Sequence, residues 1–298
     1  MKVKDFWPMY WTQSVLPNDK ESHQDDKKWI YKKSLAPFFG EIELADIDDD
    51  HILEFVGICI GAGKGKKTIR NHLTVLRGMM KFAVRRKRIS GLTSVFDFTS
   101  PKPEDKRVGF LTDEQFKKLH ACIDIKLYQD MAIFNVNTGL RLGELCGLQW
   151  ENVRESGGGL VIDVVYATAR RKKTINTPKS DFRTIPLNVA ARDIIQQLDR
   201  CSKFVFAFPD QPIDPLGTKQ AHAAMISART RAGLTNMIGA RTVSWHLLRH
   251  TFASRLAIKG ASLRKIKDLL GHVAYSTTLR YAHLSPSSLS DAVKLLDD

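Results

Sequence analysis

A chain of 298 residues with 43% hydrophobic content has room for one large domain or two ordinary ones, and no apolar run approaches the roughly 20 residues that span a bilayer. Its 46 Lys and Arg against 32 Asp and Glu give a formal net charge of +14, which points to a polyanionic partner, nucleic acid by default, and otherwise to a basic surface with no specific partner; no basic amphipathic helix with exposed aromatics suggests a membrane surface. The start, "MKVKDFWPMYW", is no secretory signal, and Cys59, Cys122, Cys146 and Cys201 form no Cys-x-x-Cys, so a disulfide framework and a zinc knuckle are excluded and a reduced, cytoplasmic protein is expected.

The first hundred residues read as helices. One carrying Phe6, Trp7, Tyr10 and Trp11 begins almost at once. "DDKKWIYKKSLAPFFG" is expected to stop at Pro37 and Gly40, and "DIDDDHILEFVGICIGAG" to open on acidic capping residues and end at Gly61. "KKTIRNHLTVLRGMMKFAVRRKR" sets Ile69, Leu73, Leu76, Met80 and Ala83 at helical spacing among basic residues. Between these, "GAGKGKKT" imitates a phosphate-binding loop. The spacing fails, since Ile60 stands where the first glycine belongs and Lys67 interrupts the ending. A basic turn near a phosphate backbone fits better. Lys64 and Lys66 there, and Arg85, Arg86 and Arg88 beyond the far end, are candidate DNA contacts; a solvated basic helix end explains the last three as well. The prolines and charges of "TSPKPEDKRVGF" mark a linker at 99–108, between a helical domain, 1–98, and a second domain, 109–298.

The second domain opens at "LTDEQFKKL", where Thr112 and Gln115 form a capping box. In "NTGLRLGELCGLQW", Gly139 ends one helix and Arg141 opens the next. A helix start beside a guanidinium suits a phosphate, although Arg141 and Glu144 also read as a plain local pair. Two or three antiparallel strands are predicted from Leu160 to Leu187. Lys179 lies at a turn between them, free to reach a cleft or simply to be solvated, with Arg183 close by as a rival. In "SWHLLRHTFASRLAIKG", Ser244 caps and Gly260 ends a helix with Leu248, Phe252 and Leu256 on one stripe. His246, Arg249 and His250 share another side, either a solvated face or an anion site. A metal on His246 and His250 is disfavoured, because no Glu follows His246 and Arg249 repels a cation. In "LLGHVAYSTTLRYAHL", Gly271 ends a helix, His272 follows, and Ser276 caps a short helix bearing Tyr281, with Tyr275 in the loop before it. A lone tyrosine is usually a packed ring. "SPSSLSDAVKLLDD" reads as a last helix with Leu289, Val293 and Leu296 at helical spacing. The fold class is mainly α with a small antiparallel β-sheet: a helical domain followed by a mixed α+β domain.

Taken in order, Arg141, Lys179, His246, Arg249, His272 and Tyr281 resemble the active-site signature of the tyrosine recombinase (phage integrase) family. The segments that carry it are "TGLRLGEL", "HLLRHTFAS", "LLGH" and "RYAHL". The resemblance implies a site-specific DNA recombinase, an integrase of a mobile element, that closes a core-binding and a catalytic domain around DNA as a C-shaped clamp. Tyr281, the tyrosine before Ala-His, is then the nucleophile and Tyr275 a packed ring or a backbone contact. Arg141 and Arg249 clamp the phosphate, Lys179 protonates the leaving oxygen, and His246 and His272 donate hydrogen bonds or assist proton movement. The intermediate is a 3′-phosphotyrosine, formed without metal, ATP or any cofactor. Expected partners are double-stranded recombination sites, accessory DNA-bending proteins, and copies of the chain joined as a tetramer through the last helix; a prokaryotic or phage source and a place on the nucleoid follow. The early start of the first helix is expected to leave no room before it for an arm-site domain, so that the chain is either a simple recombinase or a shortened piece of a longer one. A type IB topoisomerase shares the tyrosine chemistry, and a non-catalytic DNA-binding regulator would share the charge. The apolar tail and the full set of reactive residue types favour the recombinase.

Overall fold

The computed structural model describes residues 1–89, 109–168, 175–176, 182–210, 215–236, 238 and 242–285. The chain divides into two compact units, Met1–Glu104 and Asp105–Asp298. The predicted linker at 99–108, Lys179 and the tail from 286 onward lie outside the described residues.

In the first unit, α1 (Val3–Tyr10), a π turn (Trp11–Val15) and α2 (Leu16–Asn18) run on as one helix. So do α3 (Glu21–Ile30), a second π turn (Tyr31–Leu35) and α4 (Ala36–Phe39). The predicted stop at Pro37 is therefore wrong: the helix passes through it. A proline has no N–H to give, and its ring clashes with the carbonyl four residues back. Just before Pro17 and Pro37, Leu16 and Ala36 donate to Trp11 O and Tyr31 O, five residues back. The ladder has thus already left the four-residue register when the proline arrives. Next comes α5 (Asp49–Gly61), capped by Asp48 on the His51 N–H, then α6 (Lys66–Arg85). The residues picked out by spacing on α6, Ile69, Leu73, Leu76, Met80 and Ala83, are all buried, against Phe6, Phe39 and Phe55 from the other helices.

The second unit opens with α7 (Asp113–Ala121), whose Thr112–Gln115 capping box forms as predicted. Then come α8 (Lys126–Thr138) and α9 (Leu142–Cys146). Among the described residues five short strands follow: β1 (Val153–Ser156), β2 (Gly159–Val164), β3 (Ala167–Thr168), β4 (Ile175–Asn176) and β5 (Arg183–Pro186). They make an antiparallel sheet in the order β1-β2-β5 and a separate β3-β4 pair. The sequence predicts fewer strands because β1, "VRES", faces solvent along most of its length and carries no apolar alternation. The remaining helices among the described residues are α10 (Val189–Gln197), α11 (Thr218–Arg231), α12 (Trp245–Ile258), α13 (Leu263–Leu270) and α14 (Ser276–Leu279), with a 3₁₀ turn (Ala282–Leu284) closing the described part.

Helix α12 is the spine of this unit. Trp245, Leu247, Leu248, Phe252, Ala253, Ser254 and Ala257 are buried around its circumference, and α8, α13 and the closing 3₁₀ turn pack against it. Its small residues let neighbours approach on several sides, so polar groups on this helix are also drawn inside. Among the described residues no helix is long and apolar enough to cross a membrane.

Candidate active site

Two helix C-termini, those of α8 and α13, meet beside α12, and their carbonyls organise the site. The last carbonyls of a helix have no partner within it. Gly139, past the end of α8, takes φ +66°, and Gly271, past the end of α13, takes φ +61°. These left-handed residues turn the chain so that the terminal carbonyls face inward. Arg249, only 2% exposed, donates to Gly139 O at 2.7 Å and to Leu270 O at 2.5 Å. Arg183, inward-facing on β5, donates to Leu269 O at 2.9 Å.

The third guanidinium, Arg141, stands at the N-cap of α9. Its backbone N–H and its guanidinium both bond Glu144, each at 2.9 Å. Glu144 also accepts from Arg183 at 2.7 Å and lies 3.9 Å from Arg249. Burial alone would raise the Glu144 pKa, but Arg183, Arg249 and Arg141 outweigh it and hold the carboxyl at about 2. Burial, then Arg141, lowers Arg249 to about 9, still charged at neutral pH. Three guanidinium groups thus converge on one carboxylate, leaving an excess of positive charge that an oxyanion would neutralise.

His272 follows Gly271 directly, and its Nδ1 lies 2.9 Å from Thr278 Oγ1. Burial, reinforced by Arg249, Arg141, Arg280 and Arg183, pushes its pKa down to about 3. The ring is therefore neutral at pH 7 and can donate a hydrogen bond without adding charge. The sign for stability follows. The unfolded histidine takes a proton near its ordinary value of 6.5, and the folded one refuses it until about 3. Stability should therefore decline as pH falls from about 6.5 toward 3. Replacing His272 by Asn should remove this component of the slope, as read by denaturant unfolding across that range.

Tyr281 is 1% exposed and packs with Phe252, Ala253, Ala257, Ile266 and Leu270. Its hydroxyl lies 2.5 Å from His250 Nδ1, and Arg249 lies within electrostatic reach of it. His246 is exposed and meets the His250 ring edge-on, with centroids 4.7 Å apart. Tyr275, by contrast, is 46% exposed, and its carbonyl accepts from the Thr278 and Leu279 N–H groups. It is not a packed ring.

Arg141, His246, Arg249, His272 and Tyr281 are thus gathered in one region of the second unit. Several sequence-based expectations need correction. Ser276 does not cap a helix bearing Tyr281; α14 ends at Leu279, and Tyr281 opens the following 3₁₀ turn. His246, Arg249 and His250 do not share a solvated face, since the last two are buried. Arg183 is no rival for a mobile cation, because Glu144 and Leu269 O hold it in place. Sequence reasoning also missed His250 as the partner of the phenol. The small residues Ala253, Ser254 and Ala257 are the available signal, since they mark a helix packed on more than one side.

In the first unit, Lys66, Arg85, Arg86 and Arg88 are exposed, while Lys64 is half-buried and bonds Ser34 Oγ at 3.0 Å. Lys66 and Arg85 sit at opposite ends of α6, about 30 Å apart at ~1.5 Å per residue, so these candidates form two groups and not one patch. Among the described residues no cluster of three His, Cys, Asp or Glu could hold a metal ion.

Gly139 offers a direct test of how closely the site is built. A Cβ there would sit 2.4 Å from the Phe252 ring and 3.1 Å from Leu270. The left-handed backbone adds about 1–2 kcal/mol for any other residue, and overpacking about 1–3 more. Gly139→Ala should therefore lower unfolding stability by about 2–5 kcal/mol, as measured by denaturant titration.

Residues 109–288 match the profile of the family described as the phage integrase family. The chain is 29% identical to tyrosine recombinase XerC of Natranaerobius thermophilus over 272 residues, 88% of this chain and 89% of that protein. It is also 29% identical to tyrosine recombinase XerD of Staphylococcus aureus over 249 residues, covering 82% and 80%. Among solved structures, the Tn1549 transposon integrase in complex with a circular intermediate DNA superposes with a TM-score of 0.80 at 20% identity, over 100% of this chain and 99% of that one. A lambda integrase dimer bound to a COC′ core site gives 0.75 at 16% identity, over 97% and 98%.

Proposed function

The chain belongs to the phage integrase family and is a tyrosine-type site-specific DNA recombinase, and from that premise we propose that Tyr281 Oη attacks a DNA phosphodiester held by Arg141 and Arg249. A 3′-phosphotyrosyl bond forms and a 5′-hydroxyl leaves; a second 5′-hydroxyl then reverses the step on a new strand. One phosphoester replaces another, so the exchange needs no ATP, and the covalent intermediate divides it into two easier steps. The observation that carries this reading is the excess of guanidinium over carboxylate within electrostatic reach of a single phenol.

Arg141 and Arg249 neutralise the nonbridging oxygens as charge gathers on them. Because their partners fix both before DNA arrives, they need little reorganisation during reaction. Neutral His272 donates a further hydrogen bond to the phosphate, and exposed His246 lies at the entrance. Lys179 supplies the proton to the leaving 5′-oxygen. Residues 1–98 are the core DNA-binding domain and 109–298 the catalytic domain, with the linker at 99–108. Lys64, Lys66, Arg85, Arg86 and Arg88 contact the backbone from the first domain. The chain after residue 285 links four copies on DNA, accessory bending proteins assist, and the enzyme works on the nucleoid as the recombinase of a mobile element. The lambda integrase tetramer bound to a Holliday junction is a precedent for such an assembly in a protein of this fold.

Incubation with nicked half-site DNA should give a covalent protein–DNA adduct that EDTA leaves unchanged. Exchange of strands between two marked duplexes is the second readout; relaxation of supercoils without exchange would instead identify a topoisomerase. Each phosphate neutralised should add about −0.9 to the slope of log affinity against log salt. Charge reversal at Arg85 and Arg86 together should flatten that slope by about two, and an unchanged slope would remove both from the DNA interface.

A further inference from the structure

We propose that His250 is a catalytic residue of this chain, the base that takes the proton from Tyr281 Oη as that oxygen attacks phosphorus. The proposal rests on the recombinase reading above and adds to it the destination of the phenol proton.

The geometry is direct. His250 Nδ1 and Tyr281 Oη are 2.5 Å apart and both side chains are buried, so bulk water does not compete for the contact. His250 rides on α12, one residue after Arg249, so the same turn of helix fixes the base and the cation that would steady a phenolate. The His246 ring stands nearly perpendicular to it, at 88°, and restrains its orientation. The other histidines are poorer acceptors. His272 has Nδ1 engaged by Thr278 Oγ1 and is too weak a base to draw a proton from phenol. His246 is exposed, and the hydrogen bond to the phenol is made by its neighbour. Among the described residues, His250 meets His246 on its own helix and Tyr281 from the closing turn. The charges gathered around adjacent Arg249 are Glu144, Arg141 and Arg183. Those guanidinium groups lower the cost of a phenolate, and Glu144 tempers their repulsion of an imidazolium.

The step balances. In the neutral tautomer with its hydrogen on Nε2, His250 accepts through Nδ1. The Oη–H bond breaks and its proton passes to Nδ1 as the Oη–P bond forms and the P–O5′ bond breaks. The 5′-oxygen takes its own proton from the general acid assigned above to Lys179. On rejoining, the incoming 5′-hydroxyl returns a proton to that amine, and Nδ1 returns its proton to Oη. Because Tyr281 is closed over in the DNA-free chain, the phosphate must open a path to Oη; the acceptor is already in place on the protein side.

The test is single-turnover adduct formation on half-site DNA from pH 6 to 10, with the unaltered chain, His250→Asn and His250→Phe. Asn keeps a hydrogen-bond acceptor near Nδ1 but no base. Both variants should bind DNA within about threefold of the unaltered chain, yet form adduct about 10²–10⁴-fold more slowly at pH 7. The deficit should shrink about tenfold per pH unit as the phenol begins to ionise unaided. It should also shrink when Tyr281 is replaced by a more acidic fluorotyrosine, a rescue that a purely structural role would not give. Variants that react as fast as the unaltered chain, or that stay slow at every pH and with either phenol, would overturn the proposal. Should neither variant fold, nitrogen-15 NMR of the unaltered chain decides it: a bare Nδ1 on His250 is expected, and a protonated Nδ1 rules the base out. No adduct from the unaltered chain would defeat the recombinase mechanism itself, and this assignment with it.

Discussion

Tyr281→Phe is expected to abolish the covalent adduct on half-site DNA while leaving DNA binding and the fold nearly intact. The change removes one oxygen, and that oxygen is the proposed nucleophile. A free phenol has a pKa of about 10, so ionising it at pH 7 costs about 4 kcal/mol at ~1.4 kcal/mol per unit. A site with Arg249 within electrostatic reach and His250 Nδ1 at 2.5 Å is built to lower that cost. Nothing else about the ring changes. Phe fits the same pocket of Phe252, Ala257, Ile266 and Leu270, and the lost hydrogen bond is worth about 0.5–1.5 kcal/mol. Unfolding should therefore shift only modestly, and filter binding should be unchanged. Tyr275→Phe is the control: with 46% of that residue in solvent, its adduct yield should equal that of the unaltered chain. An adduct that survives Tyr281→Phe and disappears with Tyr275→Phe would exchange the two assignments.

Local signals exposed much of this arrangement in the sequence. The capping boxes, the glycines that end α8 and α13, and the buried stripe of α6 are written in neighbouring residues, so they were legible without the fold. Arg141 and Glu144 belong to that class, being three positions apart at a helix start. Arg183, His250 and Thr278 do not. Arg183 acquires its role from Leu269 O and Glu144, and His250 from a phenol 31 residues away. No periodicity in "HLLRHTFAS" reports what the closing turn will bring against it. The error at Pro37 has another origin: proline was treated as a stop, whereas a π turn directly ahead of it lets the helix continue. The strand β1 escaped because an exposed strand of charged residues has no apolar alternation to reveal it.

The same cations make this unit costly to assemble, and on the proposed reading they are what holds the phosphate. Gly139 O, Leu269 O and Leu270 O are helix-end carbonyls that would otherwise be unpaired, and they take up the N–H groups that face inward. Hydrogen bonds to carbonyls satisfy guanidinium donors without cancelling their charge. Glu144 does cancel it, and it is shared three ways. Fold stability and phosphate affinity are therefore set against each other at a single residue.

Glu144→Gln should show that opposition as a large loss of stability. Removing one partner of a buried ionic network typically costs about 3–5 kcal/mol, because the remaining charges stay buried without compensation. At roughly 2–4 °C per kcal/mol for a unit of this size, the thermal midpoint should fall by about 6–20 °C. The pH dependence carries a second signature. The folded carboxyl has a pKa of about 2, below its ordinary 4.5, so its contribution is complete above about 4.5 and is lost as pH falls toward 2. The Gln variant should lack that acid-side component, while retaining the decline that His272 causes from about 6.5. Sulfate or duplex DNA should restore part of the lost midpoint in the variant, since an oxyanion between Arg141 and Arg249 replaces the missing negative charge. If Glu144→Gln melts within 2 °C of the unaltered chain at low ionic strength and gains nothing from sulfate, the three guanidinium groups are not electrostatically frustrated, and the site is not the preorganised anion clamp that phosphoryl transfer to Tyr281 requires.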